Sequence, residues 1–367
     1  KPEEAVVNYR KALHLDPTYV EAHSNLGTAL SDLGKMEEAI ASYQRALALK
    51  PDLTEAHNNL GTVLRGLGKV EEAVASYRKT IALKPDYAEA HNNLGNALRE
   101  LGKLDDAAAS YRKAFAIKPN YAEAYNNLGN ALSNLGKLED AIVSYQQAVT
   151  IKPDYAEAYL NIGFALQNLG KTESSVASYR TALGIRPDYA EAHFSLGIAL
   201  RHVGKLTDAL ASYHKAIAIK PDFVEAHTNM GAALQELGKF DGAVASYRSA
   251  LAIKSDSAEL HANLGNALAQ LGHPGEAKKS YQDALAINPD YAEAHNNFGN
   301  LLKASGKTDD AFASYQKALA IKPDYAEAVR ADEGRAGAHY NFGNALKELG
   351  RLDEAMTSYH KALAIKP

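Results

Sequence analysis

Proline returns every 34 residues along this chain, at Pro17, Pro51, Pro85, Pro119, Pro153, Pro187, Pro221, Pro289 and Pro323, with Ser255 on the one missing beat. Tyrosine keeps the same period from Tyr9 through Tyr43 and Tyr77 to Tyr315. Twenty of the 26 glycines fall in two further columns, Gly27 to Gly343 and Gly34 to Gly350. A fixed period of this length means that each unit is one supersecondary element. Such a unit cannot bury its apolar face alone and must stack on its neighbours.

Each unit reads as two helices. After Pro85 comes Asp86-Tyr87-Ala88-Glu89, an N-cap with an acid three residues on, which predicts a capping box. All ten such boundaries carry Thr, Asp or Asn followed three residues later by Glu. Helix A then places Ala90, His91, Leu94, Ala97, Leu98 and Leu101 on one helical stripe, and Gly102 ends it as a C-terminal cap. Helix B opens with Asp105 and Asp106 against its N-terminal dipole, closes near Lys118, and is blocked by Pro119. The first glycine column lies inside helix A, at about 1 kcal/mol per residue relative to Ala. Ala39, Ala73, Ala107, Ala141, Ala209 and Ala243 recur opposite it on helix B. The expectation is a close A–B backbone approach at these small residues, with Tyr and Leu filling the wider gaps.

Leu94, Gly95, Ala107, Tyr111, Ala114 and Pro119 of a single unit resemble the tetratricopeptide repeat (TPR) motif, and the resemblance extends over practically the whole chain. It implies an all-α fold, a TPR superhelical solenoid of antiparallel helix pairs, with ten motifs behind one leading half-repeat. Residues 1–16 are the lone helix B. Residues 17–328 hold nine regular motifs and the start of the tenth, 329–338 are an insertion, and 339–367 complete the tenth motif. The chain departs from the family in one column, where a bulky residue such as Trp is usual and His23, His57, His91 and His193 stand here.

Irregularities individualise the chain. It starts inside the loop before a helix B and ends after one, without the polar cap helix that solenoids normally carry. The expectation is an excerpt of a longer protein. Gly334 and Gly337 argue that the inserted residues 329–338 form a loop. The unit beginning at Ser255 lacks its Pro and aromatic residue, and gains Pro274, Lys278 and Lys279. That makes it a candidate flexible joint.

Removing the core columns from helix A leaves a second, polar stripe, which in the family lines the concave groove. One of its columns is Asn25, Asn59, Asn93, Asn127, Asn161, Asn229, Asn263, Asn297 and Asn341, with Ser195 as the exception. Asn58, Asn92 and Asn126 precede it, and Asn96 and Asn130 extend it. Side-chain amides both donate and accept, so a ladder of them can hold an extended peptide by its backbone. This ladder resembles the TPR arm of O-GlcNAc transferases, which bind substrate peptides in that way. The other reading of the same amides is structural, as ties between adjacent helices, and the two readings are compatible. The family's clamp for a C-terminal carboxylate needs lysine on this stripe. The column Ser24, Asn58, Asn92, Asn126, Leu160, Phe194, Thr228, Ala262, Asn296 and Tyr340 contains neither Lys nor Arg. Leu160 with Phe164, and Phe194 with Ile198, replace polar groove residues one period apart, which predicts one exposed apolar patch for an anchor residue of the ligand.

Catalytic chemistry finds no constellation. The chain has no Cys, which removes thiol nucleophiles and Cys-ligated metals. Eight histidines share a column, but their helices pack about 8–10 Å apart, too far for one shared ion. Gly170-Lys171-Thr172 and Gly306-Lys307-Thr308 lack the earlier glycine of a phosphate loop, which is Ala165 or Leu301 here. A net charge of −4 gives no overall drive toward nucleic acid or an anionic membrane. No cofactor and no metal are expected. No apolar run approaches a membrane span. The chain opens at Lys1 without Met, so a removed leader stays open, and the lack of a signal-like start leans toward the cytoplasm. The expected function is a non-catalytic scaffold holding an extended peptide segment of a protein partner. The alternatives are the substrate-recruiting arm of a larger O-GlcNAc-transferase-like enzyme, and a structural protein that self-associates through uncapped ends into filaments.

Overall fold

The computed structural model describes residues 1–322 and 334–365, which form helices and turns and contain no strand. The chain divides into two compact units, residues 1–187 and 188–367. The first contains α1 (Pro2–Leu15), α2 (Val20–Asp32), α3 (Met36–Leu49), α4 (Thr54–Gly66), α5 (Val70–Leu83), α6 (Ala88–Glu100), α7 (Leu104–Ile117), α8 (Ala122–Asn134), α9 (Leu138–Ile151), α10 (Ala156–Asn168) and α11 (Thr172–Ile185). The second contains α12 (Ala190–His202), α13 (Leu206–Ile219), α14 (Val224–Glu236), α15 (Phe240–Ile253), α16 (Ala258–Gln270), α17 (Pro274–Ile287), α18 (Ala292–Ala304), α19 (Thr308–Ile321), α20 (Gly334–Glu348) and α21 (Leu352–Ile365). Even-numbered helices are the A helices and odd-numbered ones the B helices. Within each unit every helix packs on the next, the stacking of a TPR solenoid.

The A–B turn is set by its glycine. Gly102 takes φ 72°, a left-handed conformation open to Gly at little cost. This lets Lys103 N–H donate back to the Leu98 carbonyl at 2.9 Å, closing the end of α6. The B–A turn differs from the capping-box expectation. The N-cap of α6 is Tyr87, not Asp86, and no side chain caps the helix. The turn Lys84-Pro85-Asp86-Tyr87 closes instead through Tyr87 N–H to the Lys84 carbonyl at 3.3 Å, with the Lys84 ammonium 5.1 Å from the Tyr87 ring centroid. Ser257, where the aromatic residue is lost, caps α16 with its hydroxyl from Leu260 N–H at 3.3 Å.

The core follows the columns. Tyr77, Tyr111, Tyr179, Tyr213 and Tyr315 are fully buried, as are the alanines of helix B from Ala39 to Ala311. The partner of the helix A glycine is the tyrosine rather than these alanines, which corrects the sequence expectation. A Cβ placed on Gly27 would lie 2.8 Å from Tyr43 Cε1, and one on Gly61 2.7 Å from Tyr77 Cε1. The glycine is therefore the floor on which the ring lies.

Of the insertion, residues 329–333 lie outside the described residues, as do Pro323 and the cap signal at 324. Residues 334–338 are helical, as the first turn of the 15-residue α20. The predicted loop is therefore shorter than ten residues, because Gly334 and Gly337 are tolerated in a helix that continues into the regular motif.

Candidate peptide-binding face of the A helices

The amide stripe of the first unit forms a connected hydrogen-bond network across α4, α6, α8 and α10. Asn93 Nδ2 donates to Asn58 Oδ1 at 3.3 Å, Asn127 to Asn92 at 3.0 Å, and Asn161 to Asn126 at 3.1 Å. Asn161 also donates to Asn130 Oδ1 at 3.1 Å. In turn Asn92 Nδ2 donates to Glu123 at 3.3 Å and Asn126 to Glu157 at 3.5 Å, each on the next A helix. The two columns therefore have different surroundings. Asn58, Asn92 and Asn126 are buried in the seam between consecutive A helices, Asn92 and Asn126 at 1% exposure. Asn93, Asn127 and Asn161 are half-buried, and Asn25 is exposed. This corrects the placement of Asn58, Asn92 and Asn126 on the ligand side: they form the layer that orients the outer amides.

The outer amides keep spare hydrogen-bonding capacity. Each has two N–H donors and an acceptor oxygen. Among the described residues no protein donor reaches Asn93, Asn127 or Asn161 Oδ1. The second unit does not repeat the network. There Ser195, Thr228 and Ala262 stand along the stripe, and the two hydroxyls bond back to their own helices, at Glu191 and Val224. Asn229 turns to the Glu225 carbonyl at 2.9 Å. Asn263 is half-buried, Asn297 accepts from Asn296 at 3.2 Å, and Asn341 donates to Asn300 at 2.9 Å.

Asn96 and Asn130 have a role that the sequence reading missed. Their Oδ1 atoms accept from the buried hydroxyls of Tyr111 and Tyr145, both at 2.8 Å. The pairing spans 15 residues and recurs at Tyr281–Asn266, Tyr315–Asn300 and Tyr359–Asn344, and with threonine at Tyr43–Thr28 and Tyr77–Thr62. Burial pushes the Tyr111 phenol up to about 12, partly opposed by Arg99 and Arg65.

The apolar replacements do not form the expected exposed pairs. Leu160 is 6% exposed, because its column is the buried seam that Asn126 also occupies. Phe164 is 47% exposed, edge-on to Tyr179 with centroids 6.0 Å apart. In the second unit Phe194 is half-buried against Phe223 at 4.8 Å and Tyr213 at 6.1 Å, and Ile198 is half-buried.

The histidine column is explained by its loop. Nε2 of His57, His91 and His295 lies 2.9 Å from the carbonyls of Pro51, Pro85 and Pro289, six residues earlier. A carbonyl only accepts, so the ring is protonated on Nε2 and fastens helix A to the turn before it. Among the described residues no group of three His, Cys, Asp or Glu side chains could hold a metal, and no helix is long and apolar enough to cross a membrane.

The chain belongs to the tetratricopeptide repeat family. Models described as TPR repeat match residues 1–34, 27–68, 61–98, 95–136, 129–170, 168–201, 199–238 and 235–272, and models described as tetratricopeptide repeat match 256–324 and 336–367. Among solved structures, two of MamA are similar at 27% and 28% identity, each covering 47% of this chain and 94% of its own, with TM-scores of 0.41 and 0.43. YrrB, described as a TPR protein with an unusual peptide-binding site, is 23% identical over 50% of this chain and 95% of its own, with a TM-score of 0.42. No curated protein matches the chain.

Proposed function

We propose that the chain is a non-catalytic interaction scaffold that holds an extended peptide segment of a protein partner along the A helices of its first unit, through the outer amides Asn93, Asn127 and Asn161. The observation that carries this reading is the division of labour between the two asparagine columns. The buried column fixes each outer amide through one N–H, and leaves the oxygen of all three and the second N–H of Asn93 and Asn127 for a ligand. Fixed donors and acceptors at the repeat spacing suit a peptide main chain, which offers both groups whatever its sequence. Preorganisation by the buried layer lowers the ordering cost of binding.

The test is fluorescence anisotropy with labelled, end-capped peptides of mixed Ala, Ser and Thr composition. Each lost amide contact contributes about 1 kcal/mol, so N93A/N127A weakens binding roughly ten- to thirtyfold while helix content is retained. Equal binding by this variant, or no binding by the unmodified chain, overturns the reading.

A further inference from the structure

One position of helix A carries a basic residue in five motifs: Arg65, Arg99, Arg201, Lys303 and Lys347. The next position of the following motif is where an acid can meet it. Glu100 lies 3.9 Å from Arg65. Glu236 receives Arg201 Nη2 at 2.5 Å and Nε at 2.9 Å. Across the insertion, Glu348 lies 3.3 Å from Lys303. Lys347 stands in the tenth motif. The residue that should answer Arg99 is Asn134. Among the described residues no carboxylate lies within 4.0 Å of Arg99, and its Nε is buried with no hydrogen-bond partner. Arg99 is half-buried. Its charge acts on the Tyr111 and Tyr145 phenols, and on Tyr111 also through a side-chain hydrogen bond. It stands on α6, the helix that carries Asn92 and Asn93 of the amide network, one helical turn beyond Asn96.

We propose that Arg99 is a specificity site for the side-chain carboxylate of an Asp or Glu in the bound peptide, on the groove reading above. The argument is charge complementarity against the molecule's own pattern. The fold neutralises this column from within at Arg65, Arg201 and Lys303, and leaves it open at Arg99, where the amide ladder is continuous. A guanidinium recognises a planar carboxylate through paired N–H donors, and a partly desolvated setting strengthens that contact relative to open water. The neighbouring Asn93 and Asn127 hold the main chain on either side. One acid in an otherwise sequence-tolerant segment would then set the register of the peptide.

The experiment compares two end-capped, C-terminally amidated peptides of the same Ala, Ser and Thr composition, one with a single central Asp and one with Asn there. Amidation removes the terminal carboxylate as a source of charge. The expected result is binding of both, with the Asp peptide about five- to tenfold tighter at low salt and the preference shrinking as salt rises. R99Q erases the preference and leaves the Asn peptide unchanged. N134E, which supplies from within the acid found opposite Arg65, Arg201 and Lys303, also erases it without loss of helix content, so a folding defect is separated from a specificity change. Equal affinity for the two peptides, or a preference that survives both substitutions, overturns the Arg99 proposal and leaves the groove reading standing. Failure of both peptides to bind overturns both. A single-stranded oligonucleotide of similar length that binds more tightly than the Asp peptide, and loses affinity with R99Q, also overturns it, by assigning Arg99 to phosphate.

Discussion

Among the described residues, Tyr213 is the one tyrosine of its column whose buried hydroxyl has no hydrogen-bond partner, and this makes an unusually direct stability prediction. Where the residue 15 positions earlier is Asn or Thr, it meets the hydroxyl, as at Tyr111–Asn96. Where that residue is Phe164 or Ala232, a glutamine 12 positions earlier substitutes: Tyr179 donates to Gln167 at 2.9 Å and Tyr247 to Gln235 at 2.5 Å. At Tyr213 both options fail. The earlier residue is Ile198, and the position 12 back is Arg201, whose Nε and Nη2 are engaged by Glu236.

Deleting the hydroxyl therefore has opposite consequences at two tyrosines of one column. Y111F loses a hydrogen bond and strands the Asn96 oxygen in a partly buried place, and should destabilise by about 1–2 kcal/mol. Y213F removes a desolvated group that has no partner, and should be neutral or stabilising by up to about 1 kcal/mol. Global unfolding of a repeat array need not be two-state, so the assay is native-state hydrogen exchange, read in α6–α7 for one variant and α12–α13 for the other. A second cycle checks the cause. In an I198N background, which restores the acceptor of the other motifs, Y213F should become costly by about 1 kcal/mol. If Y213F accelerates exchange in α13 as much as Y111F does in α7, the hydroxyl has a partner after all and the reasoning fails.

Three further outcomes follow from the same geometry. G95A should destabilise α6–α7 by about 1–3 kcal/mol despite its better helix propensity, because the new Cβ would lie 2.5 Å from Tyr111 Cε1; calorimetry showing a raised melting temperature would contradict it. H57A should speed exchange in the turn 52–54 by removing the tie to the Pro51 carbonyl, at a local cost near 1 kcal/mol, while H14A, outside this column, should leave it unchanged. Burial raises Tyr111, Tyr213 and Tyr315 from 10.0 to about 12. Because the folded state favours the neutral phenol, this contribution is complete below pH 10 and lost as pH rises toward 12. The ionisation of these three phenols, followed by NMR, and the loss of helical circular dichroism should therefore rise together; their titration near pH 10 with the helices intact would refute it.

The period, the helix pairs and the fold class were legible because they rest on columns, and a column averages over many units. What the sequence reading missed lies in contacts between columns. The glycine of helix A was matched to the small alanines of helix B, on the sound ground that close backbones need small residues. The structure instead lays the Tyr ring flat on it, a choice between two neighbours that periodicity alone does not separate. The cap was misplaced by one residue, from Asp86 to Tyr87, because Asp is the better capping residue in isolation while Pro85 and the Lys84–Tyr87 turn decide where the helix starts. The histidine-to-carbonyl tie was readable in principle, since a polar ring in a core column needs a partner. The fixed six-residue interval to proline was the available signal. In the candidate site, the two amide columns looked alike as residues, and only the seam between A helices distinguishes the buried donor layer from the outer one.

That seam also explains where the ladder stops. Each outer amide is held by an amide one motif earlier in the buried column, so the ladder lasts only while that column is Asn. It runs through Asn58, Asn92 and Asn126 and ends at Leu160, which has no oxygen to accept and so orients nothing behind it. In the second unit the column reads Phe194, Thr228 and Ala262, and Asn229 accordingly bonds to its own helix and receives Arg201 at 3.4 Å. An amide already turned inward has to break that contact before it can serve a ligand. Peptide-induced protection from hydrogen exchange should therefore concentrate on α6, α8 and α10 and be weak on α14. Protection centred on α14 would mean that preorganisation by the buried amides is not what makes the face competent.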